Sequence, residues 1–241
     1  MRVDVALTPA ALEPAALAGA VALVIDVLRA STTLVTALSH GCREVLPVAE
    51  VEEARRRARD LPGALLAGER SGDPPPGFDL GNSPLEFTPE RVAGRTIVFT
   101  TSNGTRALLA ARGATAVGVA ALVNLSAAAD WALGQRRNLV VVCAGELGTR
   151  SVEDEACAGL IVDRVLAADP GARATDAAER AVAAARPYAK DLPRLAHDAP
   201  HARHLQAQGR GPDVAACLTL DVFTLVPAYR ADVDKVVSPY R

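Results

Sequence analysis

Residues 21–38 read VALVIDVLRASTTLVTAL. An unbroken apolar run ends in Asp26, Arg29, Ser31 and Thr32, and a helical pattern begins at once. A carboxylate where a buried strand ends can grip a divalent cation. A guanidinium beside it pairs with an anion, and hydroxyls at the start of a helix either cap it or donate to a phosphate. Two readings of this cluster stay open. Asp26 is the partner of Arg29, or Asp26 holds a metal and leaves Arg29 to a substrate.

The same chemistry recurs at a second strand exit. In TTSNGTRALL a strand gives way to a Ser-Asn-Gly turn and then to a helix. Free N–H groups in the first turn attract anions. Gly104 permits close backbone approach, Ser102 and Thr105 supply hydroxyls, Asn103 an amide, and Arg106 a cation. An ordinary Ser or Asn cap explains the turn about as well. Further exits carry Glu69 and Arg70, then Asn124, then GELGTRSVEDE over residues 145–155. Magnesium takes hard oxygen ligands, usually one or two carboxylates with waters. Asp26 with one of the carboxylates Glu146, Glu153, Asp154 and Glu155 meets that requirement, and the sequence does not choose among them; Ser151 to Asp154 also reads as a helix cap.

Several nucleophile schemes fail on spacing. A Walker loop needs GxxxxGK[ST], and a serine elbow needs GxSxG; neither occurs. CAGELGTR holds six residues between Cys143 and Arg150, one more than a cysteine-phosphatase loop requires. Cys157 reads as a core thiol. Pro200 interrupts the helical spacing of His197, His201 and His204, so His197 and His201 are expected on a solvated segment, with His204 left open.

The elements that must position these groups follow from periodicity. Apolar runs at 21–25, 45–49, 64–67, 96–100, 116–122 and 139–144 mostly alternate with helical patterns at 31–40, 50–60, 103–112, 125–137 and 152–168. That alternation predicts a three-layer α/β fold, with a largely parallel or mixed central sheet and helices on both faces. One domain over residues 1–241 is expected, with two similar α/β halves meeting near 125–137 as a variant. In an open α/β sheet, ligands sit beyond the carboxyl ends of the strands, so the polar exits should share one rim. Residues 70–90, RSGDPPPGFDLGNSPLEFTPE, break the rhythm and read as an ordered loop over the site. The stretches 214–226 and 233–237 look strand-forming.

Composition excludes other classes. A net charge of −2 without a basic stripe argues against nucleic acid. No apolar run reaches the roughly 18 residues of a membrane span. Four scattered cysteines and no leader-like start fit a reduced cytoplasm. Leftover aliphatic surface is compatible with a homo-oligomer. On the residues alone, a hydrolase and a non-catalytic binder of an anionic metabolite both remain in view.

Four motifs together carry a family resemblance. VIDVLRASTT, GERSG with GFDLGNSPLE, TTSNGTRAL, and CAG with EDEACAG occur in this order. They resemble the 2-phosphosulfolactate phosphatase family over nearly the whole chain. The resemblance implies a Mg²⁺-dependent α/β phosphatase that releases phosphate from 2-phosphosulfolactate, a step toward coenzyme M. Its motif positions are Asp26, Arg29, Ser31, Thr32, Glu69, Arg70, Asn82, Ser83, Ser102, Asn103, Gly104, Thr105, Arg106, Asn124, Glu153 and Asp154. Chemistry then suggests Asp26, Arg29, Glu69 and Arg106 for catalysis, and Asp26, Glu153 and Asp154 for the metal. The hydroxyls, amides and Arg70 would hold substrate. The nucleophile is a water on the metal or Asp26 itself.

Overall fold

The structure is a computed structural model that describes residues 1–239. Ten strands form one sheet: β1 (Arg2–Ala6), β2 (Val21–Ile25), β3 (Glu44–Pro47), β4 (Leu65–Gly68), β5 (Thr96–Thr100), β6 (Ala116–Ala120), β7 (Leu139–Cys143), β8 (Arg173–Ala174), β9 (Ala228–Arg230) and β10 (Lys235–Val237). Ten α-helices accompany them: α1 (Ala30–Ser39), α2 (Val51–Arg59), α3 (Pro89–Val92), α4 (Gly104–Ala110), α5 (Leu125–Gly134), α6 (Val152–Ala168), α7 (Asp176–Ala185), α8 (Leu195–Asp198), α9 (Pro200–Ala207) and α10 (Gly211–Cys217). The six apolar runs are strands β2 to β7. Apart from Leu65 and Leu66 in β4 and the first residues of β3 and β6, their residues are buried on both faces, which is why they lack alternation.

Strand order is β4-β5-β3-β10-β9-β6-β2-β7-β1-β8. Strands β6, β2, β7, β1 and β8 run parallel, as do β3, β5 and β4. Between the two sets lies the antiparallel pair β9 and β10, antiparallel to β6 and β3 as well. Three reversals therefore leave the two parallel sets pointing opposite ways. On a flat sheet their carboxyl ends would lie on opposite edges. Each step along a sheet rotates the strand by about 20–25°, and five steps separate β2 from β5. That accumulated rotation, roughly 100–125°, swings the exit of β5 back toward the exit of β2. The exits do meet: a Cβ on Gly104, just after β5, would stand 2.6 Å from Asp26 Oδ2, just after β2.

One face of the whole sheet carries α1 and α4. Leu34, Val35, Leu38, Ala107 and Leu108 pack there against Ala22, Val24 and Val119 from one set and Val45, Ile97 and Phe99 from the other. The opposite face of the larger set is covered by α5, α6, α7, α9 and α10. The smaller set is covered by α2 through Ala54 against Val98. This is the expected three-layer arrangement. The C-terminal third differs from its expectation. Residues 214–217 are helical, because Pro at the second position of α10 and a short apolar stripe favour a helix. Only 228–230 and 235–237 are strands there. Among the described residues no helix is long and apolar enough to cross a membrane.

Candidate active site

The exit of β2 is fixed from several sides. Asp26 Oδ1 accepts the Ala30 N–H at 3.1 Å, at the start of α1. Ser31 Oγ accepts the Asp26 N–H at 2.9 Å and donates to the Val24 carbonyl at 3.3 Å. Thr32 donates to the Val27 carbonyl at 2.9 Å. Both hydroxyls are thus engaged by the backbone of their own turn rather than turned to a ligand.

Asp154 plays a similar part. Its two oxygens accept the N–H groups of Val27 at 2.8 Å and Gly145 at 3.1 Å, tying the exits of β2 and β7 together. Ser151 caps α6 and accepts the Asp154 N–H at 3.2 Å. One turn of helix thereby serves as cap and clamp at once. Asp154 is fully buried, and burial, with the charges of Asp26 and Glu153, holds its pKa well above the carboxylate range.

Glu69 stitches the smaller set to the site. Its carboxylate accepts Gly72 N–H at 2.9 Å and Ser102 N–H at 2.7 Å, joining the loop after β4 to the turn after β5. Gly104 then allows α4 to abut the β2 exit. A Cβ there would stand 2.5 Å from Ala30 Cβ and 2.6 Å from Asp26 Oδ2. The glycine is required by packing between the two sets. Thr101 and Thr105 exchange hydrogen bonds across the turn, so Thr105 is also internal.

These contacts enclose a cavity of about 270 Å³. Asp26, Arg29, Glu69, Asn82, Ser102 and Asn103 line it, together with Glu146, Leu147, His201, His204, Leu205 and Gln208. Three of the cavity's polar groups come from α9 and its end, on one helical face. Pro200 does not interrupt that face; it occupies the first position of α9, where proline is favoured. The expectation of a solvated His201 is therefore corrected, while His197 lies on the separate helix α8. His201 Nδ1 stands 2.9 Å from Glu146 Oε1.

Other expected site residues lie elsewhere. Arg106 is exposed and pairs with Glu50 at 3.1 Å, outside the cavity, because the first turn of α4 points it toward α2. Arg70 donates to the carbonyls of Glu69 and Ala49 and to Thr100, and so braces the sheet. Asn124 is fully buried, bonding Ala121, Val119 and Leu225. Ser83 donates to Asp213 at 2.6 Å. The partner of Arg29 is not Asp26 but Asp213, at 2.6 Å, with a second bond to the Gly72 carbonyl. Asp213 precedes a stretch that reads as strand-forming and stands 184 residues from Arg29, so nothing in the sequence pairs the two.

The site is electrostatically unbalanced. Burial raises Asp26 from 3.8 to about 6, with the charges of Glu69 and Glu153 adding to the shift and the Ala30 N–H and His201 opposing it. Burial also raises Glu153. Glu153 Oε2 and Asn82 Oδ1 are buried without a hydrogen-bond partner. Among the described residues no three His, Cys, Asp or Glu side chains gather as a ready metal cage. The donor set still suits magnesium, which needs only one or two carboxylates and fills its shell with water. Glu153 supplies an orphaned oxygen, and Asp26 has one oxygen outside the Ala30 bond. None of the four buried cysteines is in a disulfide, and burial pushes the thiols of Cys143, Cys157 and Cys217 up, which makes them poor nucleophiles.

Comparison with known proteins identifies the family. A sequence model described as "2-phosphosulpholactate phosphatase" matches residues 6–232. A protein of Caldanaerobacter subterraneus named "Probable 2-phosphosulfolactate phosphatase" is 41% identical over 207 residues, covering 85% of this chain and 86% of that one. Proteins with the same name from Thermotoga petrophila and Clostridium novyi are 42% and 34% identical, covering 86% and 95% of this chain and 87% and 97% of theirs. The chain belongs to the 2-phosphosulfolactate phosphatase family of phosphoric monoester hydrolases.

Proposed function

We propose that the chain is a Mg²⁺-dependent phosphatase of a small, multiply anionic phosphate ester, with 2-phosphosulfolactate as substrate and sulfolactate and phosphate as products. The names of the relatives support the substrate. The metal follows from charge. Asp26, Glu69 and Glu146 line the cavity, and Glu153 lies near enough to raise Asp26. Against them stand Arg29, already neutralised by Asp213, and His201, paired with Glu146. A phosphate ester that also bears a sulfonate and a carboxylate would be repelled by this lining. The observation that carries the reading is that pair of features, a carboxylate-rich pocket and an orphaned Glu153 oxygen.

Asp26 and Glu153 are the residues to hold the metal; Asp154 is not, since backbone N–H groups occupy both its oxygens. When bound, Mg²⁺ supplies charge neutralisation and polarisation of the phosphoryl oxygens. Ser102 and Asn103 present polar groups from the turn before α4 to the anion. Asn82 leaves its amide oxygen Oδ1 unpartnered, an acceptor that suits a cation or a water rather than the anion. Arg29 is held rigid by Asp213 and Gly72, so its remaining donor surface is preorganised. Glu69 does not touch phosphate in this scheme; it locks the loop after β4 to the turn after β5, and thereby holds the walls of the cavity at fixed spacing.

Phosphate release from 2-phosphosulfolactate and a panel of other small phosphomonoesters, before and after chelation and with Mg²⁺ restored, tests the reading. Release that needs the metal is expected. No release from any ester refutes the phosphatase, and release unchanged by chelation refutes the metal.

A further inference from the structure

Glu146 and His201 form a pair in the cavity that serves neither as metal ligand nor as anion donor in the scheme above. Glu146 sits in a tight turn after β7, closed by its N–H to the Thr149 carbonyl at 2.8 Å and the Thr149 N–H back at 2.9 Å. That turn sets the Glu146 carboxylate 2.9 Å from His201 Nδ1. Both side chains are partly shielded, 32% and 23% exposed. An ionised carboxylate only accepts, so Nδ1 carries its proton and Nε2 is the ring atom left to trade a proton with a ligand. The reaction needs such an atom. A 2-hydroxy acid leaves as an alkoxide unless a proton meets it, and Arg29 cannot release one. His204 is turned to Gln208, its Nε2 at 3.1 Å from the amide, and has no carboxylate to orient it.

We propose that His201 is the general acid of the reaction and that Glu146 is its positioning residue. This rests on the phosphatase reading above. The bond between phosphorus and the carbon-bearing oxygen breaks, and its electron pair stays on that oxygen. The oxygen takes the Nε2 proton of protonated His201 and leaves as the alcohol. A water oxygen forms the new bond to phosphorus and gives a proton to solvent, and His201 recovers one from solvent. One ester and one water become one alcohol and one phosphate.

The test compares 2-phosphosulfolactate with its analogue carrying sulfur in place of the bridging oxygen. A thiolate leaves without a proton, so general acid assistance is dispensable for the sulfur ester. His201→Gln should lower kcat on the oxygen ester by about 10²–10⁴-fold and leave the sulfur ester within about threefold of wild type. Glu146→Gln should lower kcat on the oxygen ester by a smaller factor, with KM unchanged and the sulfur ester unaffected. Equal losses on both esters in these variants, or no loss on the oxygen ester, overturn the proposal. A wild type inactive on both esters with Mg²⁺ present instead overturns the phosphatase reading and this proposal with it.

Discussion

Asp26→Asn should make the metal-free protein more stable and the enzyme inactive. Burial lifts the Asp26 carboxyl from 3.8 to about 6, so folding penalises its charged form. Because the folded value is the higher one, the associated stability is complete below about pH 4 and is lost as pH rises through about 6. The gap, at about 1.4 kcal/mol per pH unit, comes to roughly 3 kcal/mol at pH 8. In a chain of this size that is roughly 6–12 °C in melting temperature. The variant has no charge to bury, and it also relieves Asp154, which Asp26 crowds. Melting in EDTA should therefore place Asp26→Asn above wild type at pH 8, with the advantage shrinking to about a third at pH 4.5. Saturating Mg²⁺ should then raise the wild-type melting temperature by mass action and leave the variant little changed. Equal melting of the two proteins in EDTA at pH 8 would contradict the burial argument. Normal Mg²⁺-dependent turnover by the variant would remove Asp26 from the metal.

Asp213→Ala strands a guanidinium whose side chain is 2% exposed, and should cost about 3–5 kcal/mol, read as a fall in melting temperature of roughly 6–20 °C. A fall under about 2 °C would show that Arg29 does not depend on this partner. Gly104→Ala drives a methyl into Ala30 and Asp26, and should cost about 1–3 kcal/mol and lower kcat at least about tenfold. Unchanged kcat would refute the close approach of α4 to the β2 exit. Arg106→Ala should leave kcat and KM within about twofold, because Arg106 and Glu50 form an exposed pair. A tenfold rise in KM would return Arg106 to the substrate.

The strands that surround the site are legible because they are strongly apolar and most are followed by helix signals. Runs such as VALVI and LVVVC can hardly be anything but buried strands. Strand β1 is less conspicuous, since Asp4 and Arg2 dilute it. Strand exits pointed to Asp26, Glu69, Ser102 and Asn103, which do meet at one cavity. What a single sequence hides is pairing across long separations. Arg29 advertises a need for an anion, but nothing in GPDVAAC marks Asp213, 184 residues away, as the answer. Arg106 misleads for the same reason: a cation in the first turn after a candidate anion loop looks functional until Glu50 is seen beside it. His201, His204, Leu205 and Gln208 do fall on one face at spacings of three, four and seven. That face becomes readable once Pro200 is taken as the opening residue of α9 and not as a break.

The β9–β10 hairpin has a consequence for biosynthesis. Strands β3, β4 and β5 emerge from the ribosome long before β9 and β10, yet only those late strands join them to β6 in the sheet. Until residues 228–237 are available, the nascent chain holds two unconnected sheet fragments, each with a raw edge toward the other. Glu69 and Ser102 belong to one fragment, Asp26 and Glu146 to the other. The continuous sheet beneath the cavity therefore depends on residues 228–237, while α1 and α4 already span both fragments on one face.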